Sequence, residues 1–295
     1  MWGGVIRILL SFGANGVQGF VFLSGLGIHY SLQNNKKTLS KWYIKRLPKI
    51  LLPYLMVAIP YWAMWSYIND AGLLGFIKGV CFITFWMDHK GFWFIAAIIP
   101  LYLFAPLYDV FYRKVNQKTF FTIAISGLFL IASILNESSG NGLIWNVRWC
   151  MGKMAPFFMG YYCWDMIQRN EVINLCKASI VIIAMFVVLS VSPIVGRIGW
   201  WWILIFILFG ITCLFIQRSN ENNFGRKVLR FMGSISLESY MLNVAFVELF
   251  KYLRSMSPAL EGNVVAVGAY SFIVAIGIVI SVPYRAVSHK ILRRE

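Results

Sequence analysis

Apolar residues run through this chain in long, nearly continuous stretches that are separated by short polar loops. A helix needs about 20 apolar residues to cross a bilayer, and only helices or closed barrels satisfy every backbone polar group there. The stretches are too long and too evenly apolar for barrel strands. They predict an all-α, polytopic transmembrane helix bundle with about nine spans, at residues 8–31, 49–68, 92–112, 119–136, 145–165, 178–195, 199–217, 235–253 and 264–284. A shorter apolar segment, 76–86, predicts an interfacial or re-entrant helix.

Positive charge is distributed unevenly between alternate loops. If the loop after the first span is cytoplasmic, most of the 27 Lys and Arg residues fall in cytoplasmic loops, as the positive-inside rule requires. The pattern predicts a multi-pass cell-membrane protein with a cytoplasmic C-terminus. An odd number of spans would then start the chain outside, although residues 1–15 have one cation and no signal-peptide cleavage pattern. From the sequence we therefore expect that a preceding helix is missing or that the start site is unusual.

The composition agrees with a surface that faces lipid. The chain is 59% hydrophobic and 13% charged, with a mean hydropathy of +0.70, whereas a soluble protein of this length needs a more polar surface. The net charge of +16 lies in short loops between apolar runs rather than on one polar domain, so we expect no nucleic-acid partner. No Cys or His spacing suits zinc, and we expect neither a metal nor a bound cofactor.

A basic turn precedes the second predicted span. We give this name to Lys45, Arg46 and Lys49, which adjoin the start of an apolar helix and place Lys45 and Lys49 four residues apart on one face. Such a cationic cluster suits a phosphorylated cytoplasmic ligand. An anionic lipid headgroup and a purely topological role are the alternatives.

Polar or small residues interrupt several spans. Ser24 and the glycine after it lie in the first span, where they either allow another helix to approach closely or face a substrate. Arg148 and Lys153 flank the start of the fifth span, and an ionisable group within a membrane is a functional candidate, although Lys153 is also placed to snorkel to the interface.

The eighth span carries a polar stripe. On helical geometry Ser236, Tyr240 and Asn243 share one face. Such a stripe lines a cavity or binds another helix. His29 is the one histidine within a predicted span, and the sequence offers no further support for it as a catalytic base. No HExxH, GxSxG or phosphate-binding loop is present.

Three segments of the chain resemble the membrane acyltransferase family that includes O-acetyltransferases of polysaccharide and peptidoglycan (acyltransferase-3 type). The first and most specific segment runs from Gly16 to Tyr54 and contains Phe22-Leu23-Ser24-Gly25 and the basic turn. The second contains Phe92-Trp93-Phe94-Ile95. The third contains Ser236-Leu237 and the stretch from Tyr240 to Asn243.

The resemblance implies a single integral membrane domain over residues 1–295. It implies an enzyme that moves an acyl group, such as acetyl, from cytoplasmic acyl-CoA to a hydroxyl of a cell-envelope glycan or glycolipid. Lys45, Arg46 and Lys49 would hold the donor's phosphates, and Ser24 would lie near the path of the thioester. Arg148, Lys153, Ser236, Tyr240 and Asn243 are the predicted substrate-cavity residues, and the lipid bilayer, acyl-CoA and the acceptor are the expected partners.

Two departures from the family pattern leave the catalytic residues unassigned. Members of the family usually have a histidine in a helix before the Phe-Leu-Ser-Gly segment, and the resemblance implies that this histidine and its helix are missing here. In the late segment, Asn243 stands where the family commonly has histidine. Asparagine orients a hydroxyl but does not take its proton. A truncated or inactive enzyme is therefore an open alternative, and so is a glycan-precursor transporter or flippase, although transporters commonly show internal repeats and we find none.

Overall fold

The computed structural model describes residues 2–34, 38–88, 91–135, 142–169, 222–257 and 263–292. All regular secondary structure in these ranges is helical, which confirms the all-α class. The helices are α1 (Trp2–Gln33), α2 (Leu39–Arg46), α3 (Pro48–Ile68), α4 (Gly72–Val80), α5 (Ile83–Asp88), α6 (Trp93–Lys114), α7 (Lys118–Leu135), α8 (Gly142–Gln168), α9 (Phe224–Met256) and α10 (Asn263–Leu292).

The predicted spans can be compared with these helices one by one. Spans 178–195 and 199–217 lie outside the described residues. Each of the other seven predicted spans falls on one long helix and extends at most one residue beyond it, and several of these helices are longer than the predicted span. Among the described residues, three helical stretches are long and apolar enough to cross a membrane: Leu39–Ile68, Trp93–Lys114 and Val265–Leu292. The total of about nine spans stays a prediction.

The chain divides into two compact units. The first unit comprises Met1–Lys36 and Ala97–Asn220, and the second comprises Lys37–Ala96 and Glu221–Glu295. The prediction of a single domain over residues 1–295 stays a prediction.

Helix α8 is the centre of the first unit, with α1 and α7 packed against it. Glycine allows the closest approach: a side chain at Gly25 would collide with the backbone carbonyl of Phe157, and one at Gly160 would collide with that of Phe22. On the other side of α8, Phe129 of α7 packs edge to face on Phe158 at 4.9 Å. The backbone contact between α1 and α8 positions the polar groups one turn further along both helices.

Helices α9 and α10 of the second unit run antiparallel. Phe250 lies 5.7 Å from Tyr270 between ring centroids, and Asn243 fills the space beside Gly277. Helix α3 packs on both, and the Tyr284 hydroxyl donates to the Pro53 carbonyl at 2.8 Å. The start of α3 therefore lies at the same end of the unit as the end of α10 and the start of α9.

The apolar segment 76–86 folds as parts of two short helices, α4 and α5, rather than as one. Phe82 between them has φ +64°, a left-handed conformation that a helix does not contain. Helix α4 ends against α3, where the Tyr54 hydroxyl donates to the Val80 carbonyl at 2.8 Å. The interfacial or re-entrant character of the segment stays a prediction.

Candidate functional site

A histidine is buried in the first unit between three helices. His29 of α1 is 1% exposed, and its ring stacks on Tyr161 of α8 with the centroids 3.9 Å apart. Its Nδ1 lies 2.8 Å from the Tyr161 carbonyl oxygen. Because a carbonyl only accepts hydrogen bonds, Nδ1 carries the proton and the Nε2 lone pair is left to accept one.

Two carboxylates face the accepting nitrogen. His29 Nε2 lies 3.6 Å from Asp165 Oδ1 and 4.0 Å from Asp109 Oδ1. The Gln33 amide donates to this nitrogen at 2.9 Å and also reaches Asp165 Oδ1 at 3.4 Å. Trp164 Nε1 donates to Gln33 Oε1 at 2.8 Å, which fixes the direction of the amide. A proton on Nε2 would therefore be attracted by two nearby carboxylates.

Each carboxylate also has a cation and a tyrosine hydroxyl. Arg113 Nε lies 2.7 Å from Asp109 Oδ2, and the Tyr161 hydroxyl donates to Asp109 Oδ1. Lys118 Nζ lies 2.6 Å from Asp165 Oδ2, and the Tyr112 hydroxyl donates to the same oxygen at 3.3 Å. We call these residues the polar network: His29, Gln33, Asp109, Tyr112, Arg113, Lys118, Tyr161 and Asp165. With His29 neutral, the two carboxylates of the polar network are matched by the two cations, Arg113 and Lys118.

The polar network borders a cavity at Asp165 and Lys118. Asp165 and Lys118 line a cavity of about 510 Å³, together with Tyr162 and Arg169. Asp165 is itself only 5% exposed, so a ligand in the cavity would meet a carboxylate already fixed by its partners. Such a group accepts a hydrogen bond or a proton from a hydroxyl, and Lys118 offers a positive charge beside it.

Helical spacing explains how this sequence forms the network. His29 and Gln33 lie one turn apart on α1, Asp109 and Arg113 on α6, and Tyr161 and Asp165 on α8, so each helix contributes polar residues on one face. Sequence reasoning did not single out Asp109 or Asp165, and it set His29 aside. The signal that was available is the presence of both aspartates within predicted spans, where an ionisable residue is a functional candidate.

A comparison with known families identifies the chain. The family profile described as an acyltransferase domain matches residues 2–284. The chain belongs to this acyltransferase family. The resemblance deduced from its motifs is thereby confirmed, and the family together with the apolar helices makes it a membrane protein with acyltransferase character. No significant match to the chain is found among the curated proteins or the solved structures.

The predicted donor residues of the acyltransferase belong to both units. Lys45 and Arg46 form the last turn of α2 and Lys49 the first turn of α3, in the second unit, with both lysines exposed. Ser24 is half-buried in α1 of the first unit, next to Gly25. The contact of Gly25 with α8 supports the helix-packing interpretation for that glycine. The donor role of all four residues stays a prediction.

The basic turn is part of a larger cationic surface in the second unit. Helix α2 and the start of α3 lie at one end with the start of α9 and the end of α10, and we call this the basic end. It carries Lys41, Lys45, Arg46, Lys49, Arg226, Lys227, Arg230, Arg285 and Lys290. Of the carboxylates that the structure describes in this unit, Glu238 is the one near this end, and it is 6% exposed. The basic end is therefore strongly positive.

The predicted substrate-cavity residues are also divided between the units. Arg148 and Lys153 are half-buried on α8 of the first unit, and Lys153 Nζ lies 5.5 Å from the centre of the Trp149 ring. Such a position agrees with a lysine that extends along an aromatic surface. The common cavity that sequence reasoning assigned to them and to three residues of α9 stays a prediction.

The three residues on α9 differ in how their polar atoms are satisfied. The Ser236 hydroxyl donates to the Gly233 carbonyl of its own helix at 2.9 Å. Tyr240 Oη is buried and interacts with the Phe94 backbone, whereas Asn243 Oδ1 is buried and has no hydrogen-bond partner within the described part of the chain. Because an unpaired buried polar atom is costly, Asn243 is the strongest of the three candidates to bind a water molecule or a ligand hydroxyl.

Proposed function

We propose that the chain is a multi-pass membrane O-acyltransferase with a cytoplasmic C-terminus. It moves an acyl group, most simply acetyl, from cytoplasmic acyl-CoA to a hydroxyl of a cell-envelope glycan or glycolipid. The observation that carries the proposal is the family match over nearly the whole chain. The charge of the basic end and the proton-accepting geometry of the polar network support it.

The donor binds through its phosphates at the basic turn. Coenzyme A carries several negative charges, and Lys45, Arg46 and Lys49 lie within five residues of one another in the basic end. Charge-assisted hydrogen bonds to phosphate are stronger than neutral ones. The positive-inside distribution places the same residues in the cytoplasm, where acyl-CoA is found.

The transfer also requires a proton acceptor. The acceptor oxygen forms a bond to the acyl carbon, the carbon–sulfur bond breaks, and the hydroxyl proton finally reaches the thiolate of coenzyme A. Within the described residues, the polar network holds His29 Nε2 3.6 Å from Asp165 Oδ1 and 4.0 Å from Asp109 Oδ1, and Asp165 also lines a cavity. We assign the temporary holding of that proton to Asp165, with His29 positioned behind it.

Donors with and without phosphates test the role of the basic turn. We expect replacement of Lys45, Arg46 and Lys49 by Gln to raise KM for acetyl-CoA by about tenfold or more. Acetyl-pantetheine has the same thioester without the nucleotide phosphates, so its transfer should change little. The matched control replaces Lys78 and Lys251, which lie away from the basic end, by Gln. Equal losses with both donors would show that the basic turn acts only in folding or orientation.

A further inference from the structure

A second cavity lies between α9 and α10, within the basic end. Its volume is about 690 Å³, and its wall includes Ser234, Arg285, His289 and Lys290 on the polar side and Phe231 and Val282 on the apolar side. We propose that it binds the phosphate headgroup of an anionic phospholipid of the inner leaflet. This site is separate from the donor site proposed above and does not depend on it.

The polar side of the cavity is suited to a phosphate ester. Arg285 and Lys290 supply two permanent charges, and Arg285 Nε donates to His289 Nε2 at 3.3 Å. That bond orients the guanidinium and leaves its other N–H groups to donate to a ligand. The buried Glu238 carboxylate interacts with Arg285 and His289 and offsets at most one of the two permanent charges, so the wall keeps an excess of positive charge. A phosphate diester matches this excess, whereas a choline or ethanolamine group would add a further cation.

The apolar side is suited to acyl chains. Phe231 is 45% exposed and Val282 is 44% exposed. One turn further from the cations on the same face of α10, Val279 is 70% exposed. A water-soluble phosphate ester would gain nothing from this strip, but a lipid chain would cover it.

The order of the residues along the helix matches the depth profile of a lipid. On α10 the cations occupy the last two turns, and the exposed valines follow immediately toward the centre of the helix. Headgroup phosphates lie at the membrane surface with their chains directly beneath, and cations near that surface attract anionic lipids. The cavity thus presents charge and apolar surface in the order in which a phospholipid presents phosphate and hydrocarbon.

Native mass spectrometry of the delipidated protein tests the proposal. The probes are phosphatidylglycerol, phosphatidylcholine and, as a phosphate ester without chains, glycerol 3-phosphate. We expect the affinity for phosphatidylglycerol to exceed that for phosphatidylcholine by about tenfold, with no binding of glycerol 3-phosphate at the same concentration. Equal affinity for the two lipids would overturn the proposal. Equally tight glycerol 3-phosphate binding would assign the cavity to a soluble ester and would overturn it too.

Three variants locate the binding. Replacement of Arg285 and Lys290 by Gln should weaken phosphatidylglycerol binding by about tenfold. The exposed Val282→Trp substitution, which fills the apolar side and leaves the charges in place, should weaken it as well. The control replaces Lys251 and Arg254, at the opposite end of α9, by Gln and should keep wild-type affinity. An equal loss in this control would show attraction to net charge alone and contradict the proposal.

Discussion

His29, Asp109 and Asp165 are each buried, and each has several polar partners. An ionised carboxylate without partners is very costly away from water, and a paired one is tolerated when its hydrogen bonds are complete. The side chains of Arg113, Lys118, Gln33 and two tyrosines meet this requirement. The arrangement holds the imidazole in one tautomer and leaves one nitrogen able to accept a proton.

The two aspartates allow a matched comparison. We expect Asp165→Asn to reduce acyl transfer by about 100-fold or more, since Asp165 reaches the cavity and loses its ability to take a proton. Asp109→Asn retains an oxygen for the Tyr161 hydroxyl and does not line that cavity, so the expected loss is less than about tenfold. Initial rates with labelled acetyl-CoA measure both variants, and thermal unfolding in detergent shows whether they fold. Equal losses of rate at equal stability would assign Asp165 a structural role.

Two glycines of α1 allow a second comparison. An added methyl group at Gly25 would overlap the Phe157 backbone, while Gly27 faces open space. We expect Gly25→Ala to lower the free energy of unfolding by about 1–3 kcal/mol. Gly27→Ala should be neutral or slightly stabilising, since alanine favours the helix. Denaturation of both variants in the same detergent measures the difference, and identical stabilities would contradict the close packing of α1 on α8.

At the scale of single residues, the sequence predicted where polar residues lie within the spans better than it predicted which residues they contact. Ser24, Lys153 and the polar stripe of α9 could be found from polar residues within apolar runs. The polar network could not be assembled in that way, because its members come from separate helices distant in the chain. Only the packing of α1 and α6 against α8 brings His29 next to its carboxylates.

At the scale of secondary-structure elements, the sequence predicted the helices more completely than it predicted the contacts between residues. The long apolar runs coincide with α1, α3, α6, α7, α8, α9 and α10 because a run of apolar residues has few alternatives to a helix in lipid. The prediction of a single helix over segment 76–86 was wrong, because hydrophobicity alone gives no sign of a break within it. The positive φ of Phe82 divides it, and an aromatic residue gives no sequence signal for that conformation.

The orientation of α3 can be tested by labelling its two ends. Ile44 is 72% exposed before α3, and Leu73 is 73% exposed after it. In a cysteine-free background, a membrane-impermeant maleimide applied to intact cells should label Leu73→Cys but not Ile44→Cys, because the proposed orientation puts the basic turn in the cytoplasm. Permeabilised cells should give labelling of both. Labelling of Ile44→Cys from outside would invert the orientation and remove the proposed access of acyl-CoA to the basic turn.

For the whole molecule, the distribution of positive charge and the family membership both indicate a membrane protein. The basic end gathers cations from four helices, α2 and α3 early in the chain and α9 and α10 late in it, as expected where one end of a bundle lies at the cytoplasmic surface. The family membership of the chain was predictable because all residues of the first motif lie close together in the sequence, between Gly16 and Tyr54. The division into two units was not predictable, since it depends on contacts between distant segments.

Acetyl transfer in membrane vesicles of known orientation is the most direct test of the proposed O-acyltransferase function. Membrane vesicles of known orientation would receive acetyl-CoA labelled in the acetyl group, which does not cross the bilayer, and the glycolipid fraction would then be analysed for ester-linked label. We expect label in inside-out vesicles that contain the protein, and none in right-side-out vesicles or in vesicles without it. Movement of glycolipid between leaflets without any ester-linked label would instead identify a transporter and contradict the assignment as an acyl-transferring enzyme.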